Sequence, residues 1–344
     1  MICMNMIEAI GNTPLVQLKS SSPSSGMIYA KLEMMNPFGM KDRVAKQIIL
    51  DAKRTGELQE GAPIIESSSG TMACGVAMVG ACLGHDVYIV TDPRIDSITM
   101  TKLTALGCHI DIVSEMGRNG WQSARLERLE QMLTQLPGAY WPRQYENINN
   151  PAAYESLVQE VVQDIAHIDY LVVSVGSGGS MTGTSRALKK YNPNLQVIAV
   201  DCTGSVIFGQ PDCPQRLQGG LGNSLVASNV DHALVDEVHW LNDEEAFAAT
   251  LNLAREQHIF AGNSSGSVYA VARWLQNRVS EKANILAIFP DRGDRYVSTI
   301  YDRNYRIAQK IDQLRLPDQP QQVPYRTVVQ SWSYSELAGE NYRV

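Results

Sequence analysis

The sequence predicts an α/β protein built on mostly parallel sheets. Two observations carry that prediction. Short β-branched runs alternate with longer amphipathic stretches, the pattern left by strands joined through crossover helices. Several of those runs also lead into turns rich in glycine and serine that open a helix, as at Glu66-Ser67-Ser68-Ser69-Gly70 and Gly176-Ser177-Gly178-Gly179-Ser180. With 344 residues, 44% of them apolar, and a mean hydropathy of −0.17, the chain can bury a large core as two domains or one large unit.

Each element has a local reason. Lys41 heads an apolar helix over 44–52, just after the turn Asn36-Pro37-Phe38-Gly39. A strand over 63–65 feeds the first serine turn, and a small-residue helix over 71–83 stops at Gly84. Strands follow at 86–90 and 109–113, separated by a helix over 98–106 that stops at Gly107, and a polar-faced helix covers 120–136. In the second half, a buried strand over 170–175 runs into the second turn and a helix over 181–190. Next come a strand at 197–201, helices at 243–257 and 264–278, and a last strand at 285–289. After Leu316 the texture becomes Pro/Gln-rich with no packing period, which reads as a linker and tail over 316–344.

Composition removes several function classes. A net charge of −7 without a Lys/Arg-rich block argues against nucleic-acid or anionic-membrane partners. The first residues lack the basic and apolar regions of a signal peptide, and no apolar run approaches the ~20 residues that span a bilayer. The six cysteines form no Cys-x-x-Cys pair and sit mostly in apolar segments, as expected of a reduced cytoplasmic protein. The six histidines are scattered, so no metal site is expected.

Five constellations carry chemistry. A lysine fixed after a Pro/Gly turn suits Schiff-base chemistry, which needs an amine that can be neutral near an aldehyde; alone, Lys41 would read as a surface charge. The serine turn at 66–71 could hold an anion on free N–H groups and hydroxyls, or could be ordinary helix capping. The turn at 176–180 lets backbone close on a phosphate. As a dinucleotide fingerprint it fits imperfectly, because Met181 stands where a glycine is needed, so hydride transfer is a weak alternative. The remaining two are Ala261-Gly262-Asn263-Ser264-Ser265-Gly266-Ser267 and Pro290-Asp291-Arg292-Gly293-Asp294-Arg295-Tyr296. Most of the five fall just past strand C-termini, where α/β sheets bind ligands.

Together with Gly11-Asn12-Thr13-Pro14-Leu15-Val16, Lys31-Leu32-Glu33, Lys41-Asp42-Arg43 and Gln144-Tyr145-Glu146-Asn147, these motifs resemble the cysteine synthase family in kind and order, from about residue 7 to 305. The resemblance implies the type II pyridoxal-5′-phosphate (PLP) fold, two α/β domains with the cofactor between them, in a homodimer. It implies a large PLP-binding domain of residues 1–40 and 146–315 and a smaller, mobile substrate-loop domain of residues 41–145. Carried over position by position, Lys41 is the lysine that bonds the cofactor aldehyde and the catalytic base. Gly176, Ser177, Gly178, Gly179 and Ser180 are the phosphate cup, with Thr71 beside the cofactor. Ser264 is the partner of the pyridine nitrogen. Ser68, Ser69, Gly70, Thr71, Met72 and Gln144 grip the substrate α-carboxylate. A serine hydroxyl at the ring nitrogen, unlike a carboxylate, does not force that nitrogen to stay protonated, which favours β-elimination.

Three departures stand out. Asn36 to Lys41 is one residue shorter than usual, the family's Ser-Gly-Asn-Thr reads Ser69-Gly70-Thr71-Met72, and its Gly-Ile-Gly-Ala-Gly-Phe reads Gly220-Leu221-Gly222-Asn223-Ser224-Leu225. Other segments, among them Asp201-Cys202-Thr203-Gly204-Ser205 and Ile259-Phe260-Ala261-Gly262, are similar to the synthase that joins O-phospho-L-serine to L-glutamate for 2,3-diaminopropionate, a siderophore precursor. The expected activity is therefore β-replacement on O-acetyl- or O-phospho-L-serine through an α-aminoacrylate. The nucleophile is open between sulfide, a thiol and an amino acid, and serine/threonine deamination is a further alternative. Arg94 and Arg216 are loop cations that could meet a phosphate leaving group.

Overall fold

The computed structural model describes residues 2–20, 22, 24–117 and 120–337. In chain order the elements are β1 (Leu15–Gln17), β2 (Met27–Lys31), α1 (Lys41–Thr55), β3 (Ile64–Ser67), α2 (Thr71–Cys82), β4 (Val87–Thr91), α3 (Ser97–Ala105), β5 (His109–Ile112) and α4 (Gly120–Gln135). They continue with α5 (Asn149–Ala152), α6 (Glu155–Asp164), β6 (Tyr170–Ser174), α7 (Gly179–Lys189), β7 (Gln196–Cys202), β8 (Glu237–Leu241), α8 (Asp243–Gln257), α9 (Asn263–Gln276), β9 (Asn284–Ile288), α10 (Arg303–Ala308), β10 (Gln321–Gln322) and β11 (Ser333–Glu336).

The strands form two sheets. One has the order β1-β2-β9-β6-β7-β8-β11-β10, and the other is β3-β4-β5. The run from β2 through β8 and the whole small sheet are parallel, while β1 is added antiparallel at one end and β11, carrying β10 parallel to it, is added antiparallel at the other. This is the mixed α/β, mostly parallel architecture expected from the sequence. Strands buried on both faces need continuous apolar runs, and β6 and β9 have them.

Helix α1 forms because Val44, Ala45, Ile48, Ile49 and Ala52 share one buried face, and it ends at Gly56, whose φ is +81°. Asp42 closes its start by accepting from the N–H groups of Phe38 (2.7 Å) and Gly39 (3.2 Å). Against it lies α2, buried on nearly every side. Gly75 permits that approach, since a Cβ there would meet Asp42 Oδ1 at 3.0 Å and the Ala45 Cβ at 3.2 Å.

Beneath Lys41 three of the sequence motifs meet in one buried polar network. Arg43 spans Glu33 (2.7 and 2.9 Å) and Glu160 (2.8 and 2.8 Å), and Lys31 donates to Glu160 and to the Thr13 carbonyl, each at 2.6 Å. Thr13 donates to Glu33 at 2.6 Å, and Asn36 donates to Glu33 while accepting from Gly11 N–H. Residues from the segment before β1, from β2, from α1 and from α6 are thus fixed to one another before any ligand is considered.

The segment read as a Pro/Gln linker contributes to the large sheet. Gln321 and Gln322 form β10, and β11 pairs residues 333–336 with β8. Trp332 N–H donates to Glu245 (2.8 Å), and its indole donates to His239 Nδ1 (3.1 Å), which leaves Nε2 to donate to Glu237 (2.6 Å). His239 is fully buried and stacks on Tyr334. The final seven residues of the tail lie outside the described residues.

Candidate active site

A cleft of about 380 Å³ opens between the C-terminal ends of strands of the two sheets. Lys41, at the first position of α1, reaches into it and donates to the Tyr154 hydroxyl at 3.3 Å. Burial pushes the lysine amine down to about 8, and the negative charge of Asp291 opposes the shift only partly. A much larger neutral fraction is therefore present near neutral pH than for a surface lysine.

One wall is the turn after β3. Ser68, Ser69, Gly70, Thr71 and Met72 all line the cleft, and free N–H groups at the start of α2 face it. Gln144 is buried beside them, donating to the Ser67 carbonyl at 3.1 Å, while its own carbonyl accepts from Asn150 (2.6 Å) and Asn229 (2.9 Å). The opposite wall is the turn after β6, where Gly176, Ser177 and Ser180 line the cleft. Gly178 and Gly179 shape that turn without lining it. Gly178 has φ +82°, and a Cβ there would come within 2.5–2.8 Å of Val230.

The floor holds Ser264, buried in the first turn of α9, whose hydroxyl donates to Asp291 Oδ1 at 3.2 Å. Asp291 also accepts from the Tyr296 hydroxyl at 2.6 Å and lies 3.6 Å from Arg295. Arg295 in turn reaches Asp96 (3.0 Å) at the start of α3 and the Ser69 carbonyl (3.5 Å), so one guanidinium bridges the two sheets.

Every expected site residue thus falls in or beneath one cleft, but four participants were not assigned from the sequence. Arg125 projects from α4, is 6% exposed, and contacts Ser69 Oγ (3.1 Å) and Asp92 (3.3 Å). On sequence it reads as one charge among several on a polar helix face. Asp291 and Arg295 were visible as a motif without roles, and Tyr154 carried no signal at all. Of the two loop cations, Arg94 is half-exposed and held by Asp92. Arg216 is bound to the carbonyls of Gly204 and Cys213 (3.1 Å each) and to Ser224 Oγ (3.3 Å) at the rim.

Residues 6–291 match the family model described as pyridoxal-phosphate dependent enzyme. Among solved structures, an O-acetylserine dependent cystathionine beta-synthase from Helicobacter pylori is similar over 88% of this chain and 100% of its own, at 31% identity and a TM-score of 0.81. O-acetyl serine sulfhydrylase isoform 3 from Entamoeba histolytica matches 92% of this chain and 97% of its own at 29% identity, TM-score 0.81. A hydrogen sulfide-producing enzyme from Fusobacterium nucleatum matches 86% and 100% at 28% identity, TM-score 0.80.

Proposed function

The chain belongs to the pyridoxal-phosphate dependent enzyme family, and from that premise we propose that it catalyses β-replacement on an O-activated L-serine, of the cysteine synthase type. The observation that carries the reading is the convergence, in one cleft, of a lysine with a lowered pKa, a hydroxyl-lined helix start and a separate Gly/Ser turn. The solved relatives include enzymes described as acting on O-acetylserine.

The residues fit the family's cofactor. The turn at 176–180 is built from glycines because a Cβ at 178 or 179 would collide with Val230 or Asn150, and it offers backbone N–H groups and hydroxyls at the start of α7, which suits a phosphate without a cation in the loop. Ser264 offers a hydroxyl to a ring nitrogen, and Lys41 offers an amine to an aldehyde. Bound there, pyridoxal phosphate supplies a carbonyl that bonds amines and a ring that withdraws electrons from the carbon carrying the amine.

The protein's own groups divide the remaining work. The Ser68–Thr71 turn and Gln144 hold the substrate α-carboxylate, fixing the Cα–H direction. The amine of Lys41, which lines the cleft, would serve as the base for the Cα proton. Arg125, buried between Ser69 Oγ and Asp92, puts a cation beside the carboxylate-gripping turn, which supports an acidic donor such as O-phospho-L-serine alongside O-acetyl-L-serine.

A second reading, N-linkage of L-glutamate to give a diaminopropionate precursor, is favoured by Arg216 and Ser224 at the cleft rim. Arg216, which is paired with Asp212 (3.3 Å), bonds Ser224 Oγ (3.3 Å), and the two offer a guanidinium and a hydroxyl at the rim suited to an acceptor carboxylate. Homodimeric assembly and a cytoplasmic location belong to the same reading. The test is competition: load the enzyme with O-acetyl- or O-phospho-L-serine, then add sulfide or L-glutamate and identify the product. Cysteine alone supports the first reading, an N-linked glutamate adduct supports the second, and pyruvate alone would replace both with deamination.

A further inference from the structure

We propose that Asp96 and Arg295 are positioning residues: their ion pair ties the small sheet to the large one and sets where the Ser68–Thr71 turn stands over the cleft. The inference rests on the reading of that turn as the holder of the substrate α-carboxylate. Arg295 is mounted on the large sheet, in a short turn of 3₁₀ helix over Gly293–Tyr296 that follows β9. The mount is firm, since Gly293 N–H donates to the Phe260 carbonyl at 3.1 Å and the Tyr296 hydroxyl donates to Asp291 at 2.6 Å. On that side the guanidinium lies 3.6 Å from Asp291 Oδ2. Its closest bond crosses to the small sheet, where Nε donates to Asp96 Oδ2 at 3.0 Å. The other two nitrogens rest against the turn. A Cβ at Gly70 would meet them at 3.5 and 3.6 Å, ordinary contact distances, and one of them faces the Ser69 carbonyl at 3.5 Å.

The loop after β4 presents two carboxylates, each holding one arginine. Asp92 takes Arg125 at 3.3 Å, and Arg125 bonds Ser69 Oγ at 3.1 Å. Asp96 takes Arg295. Ser69 is thus flanked by two arginines, one on its side chain from the small sheet and one on its backbone from the large sheet. Asp96 also caps α3, accepting from the Thr99 N–H and the Thr99 hydroxyl at 2.7 Å each, which fixes both of its oxygens. Burial alone would raise the Asp96 carboxyl, but Arg295 and Thr99 outweigh it and hold the group below its ordinary value, so it is charged at neutral pH. Both side chains of the pair are only 18% exposed, so salt and water screen it less than a surface pair. Asp96 is not among the residues lining the cleft, and its influence on a substrate therefore runs through Arg295 and the turn.

The experiment measures equilibrium binding to the full chain loaded with pyridoxal phosphate, read from the cofactor's absorbance, with two amines as probes. L-serine carries an α-carboxylate and ethanolamine lacks one. Asp96→Asn keeps the α3 cap, because asparagine caps a helix as well as aspartate, and removes only the charge facing Arg295. We expect it to raise Kd for L-serine about tenfold, as for the loss of a hydrogen bond to a charged group, and to leave Kd for ethanolamine unchanged. Arg295→Gln should act in the same way, and Arg295→Lys should lose less, since it keeps the charge without the planar fork. Equal weakening of both probes overturns the inference, because the pair then only holds the fold together. Unchanged or tighter L-serine binding by Asp96→Asn overturns it too, because Asp96 then either does nothing for the turn or merely competes with substrate for the guanidinium. If the parent itself binds L-serine no better than ethanolamine, the reading of the turn fails and takes the inference with it.

Discussion

Nζ of Lys41 donates to the Tyr154 hydroxyl across 3.3 Å, where the start of α1 meets the start of α6. Tyr154 is fully buried, and burial raises its hydroxyl far above the ordinary phenol value, so it stays neutral and gives the lysine no counter-charge. Burial, opposed only in part by the charge of Asp291, lowers the amine to about 8.

That lowered value sets a pH dependence. Only the neutral amine attacks an aldehyde, so covalent capture of pyridoxal phosphate by the apoprotein should accelerate as pH rises and level off above about 8. A free lysine would need about 10.4. Stopped-flow absorbance across pH 6–10 checks this, and a midpoint near 10 would contradict the burial argument.

Lys41→Ala should abolish covalent attachment of the cofactor. Borohydride reduction followed by peptide mapping should place the pyridoxyl group on Lys41 in the parent. Finding it on Lys46, which is on the same helix and donates to the Ile10 carbonyl, would overturn the assignment.

Gly178→Ala should reduce both stability and cofactor retention. The backbone there has φ +82°, and the added methyl would press on the Val230 backbone and side chain. A loss above about 1 kcal/mol is expected. Urea denaturation measures the first effect, and bound pyridoxal phosphate after dialysis measures the second.

Arg125→Met should raise KM for O-phospho-L-serine about tenfold or more, the cost of one hydrogen bond to a charged group, of order 1.5–3 kcal/mol. KM for O-acetyl-L-serine should move far less. Equal effects on both donors would show that Arg125 shapes the Ser69 turn and does not meet the leaving group.

Trp332→Ala should destabilise the chain by about 3 kcal/mol through the cavity left at a buried indole. It also leaves His239 Nδ1 without its donor. Trp332→Phe should recover most of the packing, and chemical denaturation of the two variants separates the two contributions.

Much of this was legible in the sequence. The strand at 170–175 and the helix at 243–257 are found at Tyr170–Ser174 and Asp243–Gln257 because buried strands and capped helices leave strong local patterns. Asn242 and Glu245 even form a capping box. The helix after the second turn begins at Gly179, two residues before 181, since Gly179 and Ser180, which look like loop, already have helical geometry. Strand β8 and the tail strands were not foreseen. β8 is held between β7 and the late strand β11, and β10 rests on β11, so their stability comes from pairing with other strands, which no local pattern encodes. The site divides in the same way. Lys41 and the serine and glycine turns announce themselves by residue type, whereas Arg125 and Tyr154 acquire meaning only through burial beside groups remote in the chain.

The late edge strand has a consequence for synthesis. Strand β8 ends at Leu241, yet the strand that covers its free edge begins at Ser333. During translation the β8 N–H and C=O groups on that side therefore wait unpaired while the intervening residues emerge, and His239 waits without Trp332 and Tyr334. An open strand edge recruits other strands, including those of neighbouring nascent chains. The chain is thus most exposed to misassembly on the ribosome in the interval before residues 332–336 arrive, and a pause within it would lengthen that exposure.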